Sequence, residues 1–248
     1  MIPIKNEQEI NIMRRNGQVL ALILKKLENA TKSDISTFQL EELANKLIFN
    51  YGYKPSFKGY NNYPAALCVS LNDEIVHALP HRNKVVKKGD IVTIDLGICK
   101  DGFHVDSAIS FAIPPIQKNA AKLLLITKKS LALAIKSIRP DIKLGQISSI
   151  IQKTIENHGF SVIKDLVGHG IGKKLHEKPS ILNYGSPKTG PILKEGMVLA
   201  IEPMASLGSD QIKKSSDNFG YLTKDNSLAA HFEHTVLVTK NGAEILTQ

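Results

Sequence analysis

Ile91-Val92-Thr93-Ile94-Asp95-Leu96-Gly97 sets one carboxylate inside an otherwise apolar, β-branched run. The run reads as a strand from Ile91 to Ile98, and a lone buried carboxylate there is costly unless paired or bound to a cation. Asp101-Gly102 follows, a dipeptide suited to a two-residue hairpin turn, and His104 to Ala112 reads as the returning strand. With the turn at 101–102, partner positions sum to 203, which sets Asp95 opposite Ala108 and Gly97 opposite Asp106. Asp95 and Asp106 then share one face as diagonal neighbours, with backbones roughly 7–8 Å apart. Two inward carboxylates at that separation repel unless a cation lies between them. The register decides the matter, because a slip of one residue sends them to opposite faces.

Upstream, Asn6-Glu7-Gln8-Glu9 has the spacing of a capping box, and Ile10, Met13, Leu20, Ile23, Leu24 and Leu27 recur at helical intervals. A second helix is predicted from Ser36 or Thr37, burying Leu40, Leu43, Ala44, Leu47 and Ile48, with a strand over Leu67 to Leu71. Pro114-Pro115 breaks the chain, and the order then repeats. Lys118 to Ile138 reads as a helix ended by Arg139-Pro140, and Leu144 to His158 as another with Gly159 as its C-cap. Strands are expected over Ser161 to Ile163, Met197 to Ile201 and His231 to Thr239, the last closed by an Asn241-Gly242 turn. Each half reads helix, helix, strands, a repeat of elements rather than of residues. The proline pair is too short for a linker. Residues 1–248 are therefore expected to form one domain of α/β (α+β) class, with pseudo-repeat halves at about 1–113 and 114–248.

The second half offers a matching pair of acids. Val198-Leu199-Ala200-Ile201-Glu202-Pro203 and His231-Phe232-Glu233-His234-Thr235-Val236 each carry a Glu in a strand-like stretch. Alternation puts His231 and Glu233 on one face and His234 on the other. Four in-strand carboxylates from two similar halves suggest one metal site shared between them. Gly168-His169-Gly170-Ile171-Gly172, read as a glycine turn, would let His169 approach a metal closely; no strand, Gly-rich loop and Lys-Ser/Thr arrangement makes it a phosphate loop. His176-Glu177-Lys178-Pro179-Ser180 fails the two-His helical zinc pattern, since Ser stands fifth and Pro179 disfavours a helix. His77 alone fixes no role. No Gly-x-Ser-x-Gly elbow or Cys–His arrangement argues for a nucleophilic enzyme.

Composition narrows the class further. No apolar run exceeds the six residues Val19 to Leu24, far short of the roughly 20 that cross a membrane. The N-terminal Met1-Ile2-Pro3-Ile4-Lys5 lacks a signal-peptide core. Cys68 and Cys99 form no disulfide framework, which fits a reducing cytoplasm. The net charge of +9 fits a lysine-rich solvated surface or a polyanionic neighbour such as RNA or the ribosome. No nucleic-acid module with stacking aromatics is visible, so no nucleic-acid substrate is expected.

These motifs in this order resemble the methionine aminopeptidases of the short bacterial kind, over nearly the whole chain. The matching residues are His77-Ala-Leu-Pro, Asp95, Asp106, Gly-His169-Gly-Ile-Gly, His176-Glu-Lys-Pro, Ile-Glu202-Pro-Met and Phe-Glu233-His-Thr. Prolidases and proline-specific aminopeptidases usually add an N-terminal domain, whereas only 76 residues precede His77. The other class of methionine aminopeptidase carries a helical insert between the two glutamates, and the 31-residue step from Glu202 to Glu233 leaves little room for one.

The resemblance implies the pseudo-two-fold pita-bread fold, an antiparallel sheet cradling two metal ions with helices outside. It implies that Asp106 and Glu233 bridge both metals, that Asp95 binds only the second, and that His169 and Glu202 bind the first. Such a donor set suits Mn, Fe or Co, with Zn also compatible. Hydroxide at the metals would attack the first peptide carbonyl, polarised by His176, while Glu202 takes the proton and His77 orients the scissile amide. Tyr60, Tyr63, Cys68, Leu175 and Phe219 map onto the methionine pocket, so His77, His176 and these five would bind substrate. The implied activity removes the initiator methionine from nascent chains or small peptides when the second residue is small. A cytoplasmic monomer is expected, without membrane contact and with ribosome association as a hypothesis.

Departures from the family pattern lie around the pocket. Ala78 stands where Gly is usual, Asn61 where His is frequent, Leu175 for Phe, Phe219 for Trp, and His231 for Gln. None removes a metal ligand. A catalytically silent relative binding RNA or the ribosome is the alternative from another class, and the five retained ligand positions argue against it. An exopeptidase of other N-terminal preference would need different pocket walls.

Overall fold

Asn6 and Ser36 begin the two N-terminal helices in the computed structural model, which describes residues 1–248. Helix α1 (Glu7–Ala30) opens with the expected capping box. The Asn6 side chain accepts the Glu9 N–H at 3.0 Å, and the Glu9 carboxylate accepts the Asn6 N–H at 3.0 Å. Helix α2 (Thr37–Asn50) repeats the device with Ser36 and Gln39. Met13, Leu20, Ile23, Leu24 and Leu27 of α1 and Leu40, Ala44 and Ile48 of α2 are buried, while Leu43 and Leu47 are half-buried at the core edge. Each full burial of such a side chain is worth about 1.5–3 kcal/mol. The strands of the first half are β1 (Lys54–Pro55), β2 (Leu67–Leu71), β3 (Glu74–Val76), β4 (Ile91–Lys100) and β5 (Phe103–Ala112).

The second half begins with α3 (Lys118–Lys136) and α4 (Gly145–Glu156), each two residues shorter at its C-terminus than the apolar spacing predicts. Gly159 does turn left-handed after α4, at φ 83°. Short strands follow: β6 (Ser161–Val162), β7 (Gly168–Gly170), β8 (Glu177–Ile181), β9 (Val198–Ile201) and β10 (Met204–Ser206). Then come β11 (Ile212–Lys214), β12 (Tyr221–Thr223), β13 (Ala229–His231), β14 (His234–Thr239) and β15 (Gly242–Ile245). Two expectations are corrected here. Gly168-His169-Gly170 is a strand rather than a turn, and the stretch from His231 to Thr239 is two strands, interrupted at Phe232-Glu233.

All pairings are antiparallel. In the first half β4 is central, with β5 along one edge and β2 and β1 along the other. The β4/β5 hairpin has the register expected from Asp101-Gly102: Asp95 pairs with Ala108 and Gly97 with Asp106. Asp101 and Gly102 both have positive φ, 53° and 79°, as the tight turn requires. The second half forms the order β15-β14-β9-β7-β8, with smaller sheets β13-β10-β6 and β11-β12-β3 beside it.

The two halves are joined along β5. Glu233 N–H donates to the Ala108 carbonyl at 2.9 Å. Thr235 Oγ1 accepts the Asp106 N–H at 2.9 Å and donates to the Asp106 carbonyl at 2.7 Å. Ser107 and Ser110 hydroxyls donate to the Glu233 and His231 carbonyls, each at 2.7 Å. Hydroxyl side chains thus stand in for ladder bonds where the sheets meet, and they bring the acid of one half beside the acid of the other. This is the pita-bread arrangement. No helix is long and apolar enough to cross a membrane.

Candidate metal centre and adjoining pocket

Asp95 and Asp106 lie on the buried side of the β4/β5 hairpin, both nearly inaccessible. Glu202 and Glu233 sit at two corresponding interruptions. At Glu202-Pro203 the chain leaves β9 for β10, and at Phe232-Glu233 it leaves β13 for β14, crossing between the same two sheets. A residue at such a crossing is free of strand alternation and can turn inward.

His169 comes from β7, where flanking glycines are a steric requirement. A Cβ on Gly168 would stand 2.5 Å from the Ala200 carbonyl, and one on Gly170 would overlap the Lys178 backbone. Only glycine lets β7 slot between β9 and β8. His169 Nδ1 donates to the Gly170 carbonyl at 2.9 Å, so the lone pair is left on Nε2, 3.5 Å from Glu202 Oε1. Ligand atoms of Asp106, His169 and Glu233 all lie within 4.8 Å of one another.

Electrostatics identify what this cluster is built for. No lysine or arginine pairs with any of the four carboxylates. Asp95 Oδ1, Asp106 Oδ1 and Glu233 Oε1 are buried with no hydrogen-bond partner. Burial pushes Asp106 up to about 7, and burial with the charges of neighbouring acids pushes Asp95, Glu202 and Glu233 well above the carboxylate range. Burial also holds His169 and His231 down to about 3 and His77 to about 4. Orphaned oxygens beside one neutral imidazole form a hard donor set that fits a divalent cation.

All twelve residues singled out in the sequence line one cavity of about 140 Å³: the five of the cluster together with Tyr60, Tyr63, Cys68, His77, Leu175, His176 and Phe219. Tyr63 packs edge-on against Phe219 with centroids 5.6 Å apart, and its hydroxyl donates to the Leu67 and Ala78 carbonyls. His77 holds a left-handed φ of 58°, a costly conformation for a side chain with a Cβ, and meets Tyr221 edge-on. His176 meets His169 with centroids 4.2 Å apart.

Sequence reasoning passed over two lining residues, Phe57 as a wall and Asn61 as more than a departure. It also left His231 without a role. That ring is fully buried with neither nitrogen partnered, and its Nε2 is 3.7 Å from Glu202 Oε2. Its alternation with Glu233 was the available signal.

A buried carboxylate–imidazole cluster at the junction of two pita-bread halves fits an enzyme that uses a divalent cation. The model of metallopeptidase family M24 matches residues 11–240. The chain is 44% identical to the methionine aminopeptidase of Clostridium acetobutylicum, over 100% of this chain and 99% of that one. It is 44% identical to methionine aminopeptidase 1 of Bacillus subtilis, over 100% of both. The solved structure of methionine aminopeptidase from Thermotoga maritima matches with a TM-score of 0.99 at 44% identity, covering 100% of each chain. The chain belongs to metallopeptidase family M24, among its methionine aminopeptidases.

Proposed function

We propose that this chain removes methionine from the free N-terminus of peptides and nascent chains, favouring a small second residue. The observation that carries the reading is one cavity lined both by the carboxylate–histidine cluster and by Tyr63, Cys68, Leu175 and Phe219. A polarisable thioether suits such a partly aromatic wall. Full-length relatives named methionine aminopeptidase support the same substrate.

Asp95, Asp106, His169, Glu202 and Glu233 hold two divalent ions, drawn from Mn(II), Fe(II), Co(II) or Zn(II). When bound, such ions act as Lewis acids and bring the pKa of a coordinated water toward neutrality. Glu202, half-buried beside His169 and His231, accepts the proton of the attacking water and returns it to the leaving amine. His176 donates a hydrogen bond to the first peptide carbonyl as negative charge grows on its oxygen. His77 orients the scissile amide. The apolar wall seats the methionine side chain and so sets which bond meets Glu202 and His176.

Ligands drawn from both halves make residues 1–248 one catalytic domain in this reading. Free Cys68 and Cys99 support a reducing cytoplasm. A monomer meeting chains as they leave the ribosome is consistent with the net charge of +9, which favours docking to ribosomal RNA. Salt-sensitive co-sedimentation with ribosomes tests that association. The substrate assignment is tested by Met-X-Ser peptides with X from Gly to Leu, across the four metals. Release of Met that falls as X enlarges is expected; no release with any metal refutes the reading.

A further inference from the structure

Tyr60 reaches across the chain to His176, its hydroxyl 2.8 Å from Nδ1 and its ring edge-on with centroids 4.9 Å apart. Neither atom of that hydrogen bond has another partner in the protein. The turn delivering the hydroxyl is tightly determined. Gly59, Asn61 and Asn62 hold left-handed φ values of 88°, 47° and 64°, conformations that Gly and Asn tolerate best. Gly59 N–H donates to the Tyr63 carbonyl at 2.7 Å and Tyr63 N–H to the Tyr60 carbonyl at 2.9 Å, closing the loop on itself.

His176 is held from its other side as well. Glu177, the next residue, takes the Lys5 ammonium at 2.7 Å, both side chains under a tenth exposed, and accepts the Lys174 N–H at 3.2 Å. The imidazole packs against His169. Nδ1 lies at an exposed edge of the ring and has one partner in the protein, the Tyr60 hydroxyl, so the position of the ring proton turns on which of the two donates. A phenol is a good donor, and a neutral imidazole offers one accepting nitrogen.

We propose that Tyr60 sets the tautomer of His176: its O–H donates to Nδ1, which leaves the ring proton on Nε2. The catalytic consequence rests on the function proposed above. A protonated Nε2 donates to the peptide carbonyl, whereas a bare Nε2 would set its lone pair against that oxygen. Tyr60 is thereby a positioning residue acting through His176, in addition to walling the pocket.

Nitrogen-15 NMR of the Zn(II)-loaded chain, labelled at histidine and assigned with His176→Ala, reads both ring nitrogens of His176 directly. The expected state is neutral, with Nδ1 bare and Nε2 protonated, and Tyr60→Phe is expected to admit the other neutral tautomer. A wild-type ring protonated on Nδ1, or on both nitrogens at neutral pH, overturns the proposal. On Met-Ala-Ser, Tyr60→Phe is expected to lower kcat about tenfold with KM within about twofold, and to add nothing in the His176→Ala background. An unchanged kcat, or an equal loss in that background, also overturns it. If the wild-type chain releases no methionine, the functional reading fails and the NMR spectrum alone decides the tautomer.

Discussion

Asp95 stands among Ile94, Leu96 and the other buried side chains of its strand, where an unpartnered charge costs several kcal/mol. That cost identifies the residue as functional before any partner is known. The same reasoning separates roles among the histidines. His176→Ala is expected to lower kcat by roughly 10²–10⁴ while metal content, measured by plasma emission, stays at the wild-type level. A loss of metal along with activity would instead make His176 a ligand. Glu233→Gln is expected to do the reverse, weakening metal binding in calorimetry by at least about tenfold, since a neutral amide replaces a buried anionic donor. The carboxylate cluster was legible in the sequence because acids inside apolar strands are chemically conspicuous. Tyr60, Tyr63, Cys68, Leu175 and Phe219 carry no such mark. Only their resemblance to a family pocket singled them out, and Phe57 beside them lies outside that resemblance.

The β4/β5 hairpin shows why some elements could be read and others not. Its register follows from Asp101-Gly102 and the β-branched alternation on either side, all local in sequence. The interruption at Phe232-Glu233 is not local, because β5 hydroxyls bind the carbonyls of His231 and Glu233 there, from more than 120 residues away. Strand β7 was missed for a related reason: glycine disfavours strands in isolation, and only the approach of Ala200 and Lys178 makes it necessary. The segment before α1 is a further element that spacing could not interpret. Lys5 anchors β8 through its buried pair with Glu177. Lys5→Met is expected to lower the unfolding free energy by roughly 3–5 kcal/mol in urea melts, with Lys5→Met/Glu177→Met recovering most of the loss. A single variant as stable as wild type would show the pair to be energetically idle.

Across the whole molecule, the cluster couples stability to pH and to metal. Asp106, raised to about 7, and Asp95, Glu202 and Glu233, raised well above their usual range, keep protons in the folded chain that the unfolded chain releases above about pH 4. Their contribution is full below the unfolded pKa and is lost as pH rises through the folded values. His77, His169 and His231, lowered to about 4, 3 and 3, act in the opposite sense, but only below about pH 6.5. Above that pH the acids act without that opposition, and the Cys68 thiol, pushed up by burial, acts with them near pH 8.5, so the Tm of the metal-free chain is expected to fall from pH 6.5 to 8.5. Saturating Mn(II) is expected to abolish the fall and to add about 2.7 kcal/mol at a hundred times its Kd. A metal-free Tm that climbs over this range would contradict the gathering of four acids at one centre. The most direct test of that centre as an aminopeptidase is methionine release while Mn(II) is titrated into the metal-free chain, with Met-Ala-Ser and its N-acetylated form compared. Release from the free peptide alone, rising with added metal and abolished by a chelator, is predicted; cleavage of both peptides, or of neither at saturating metal, would contradict the account.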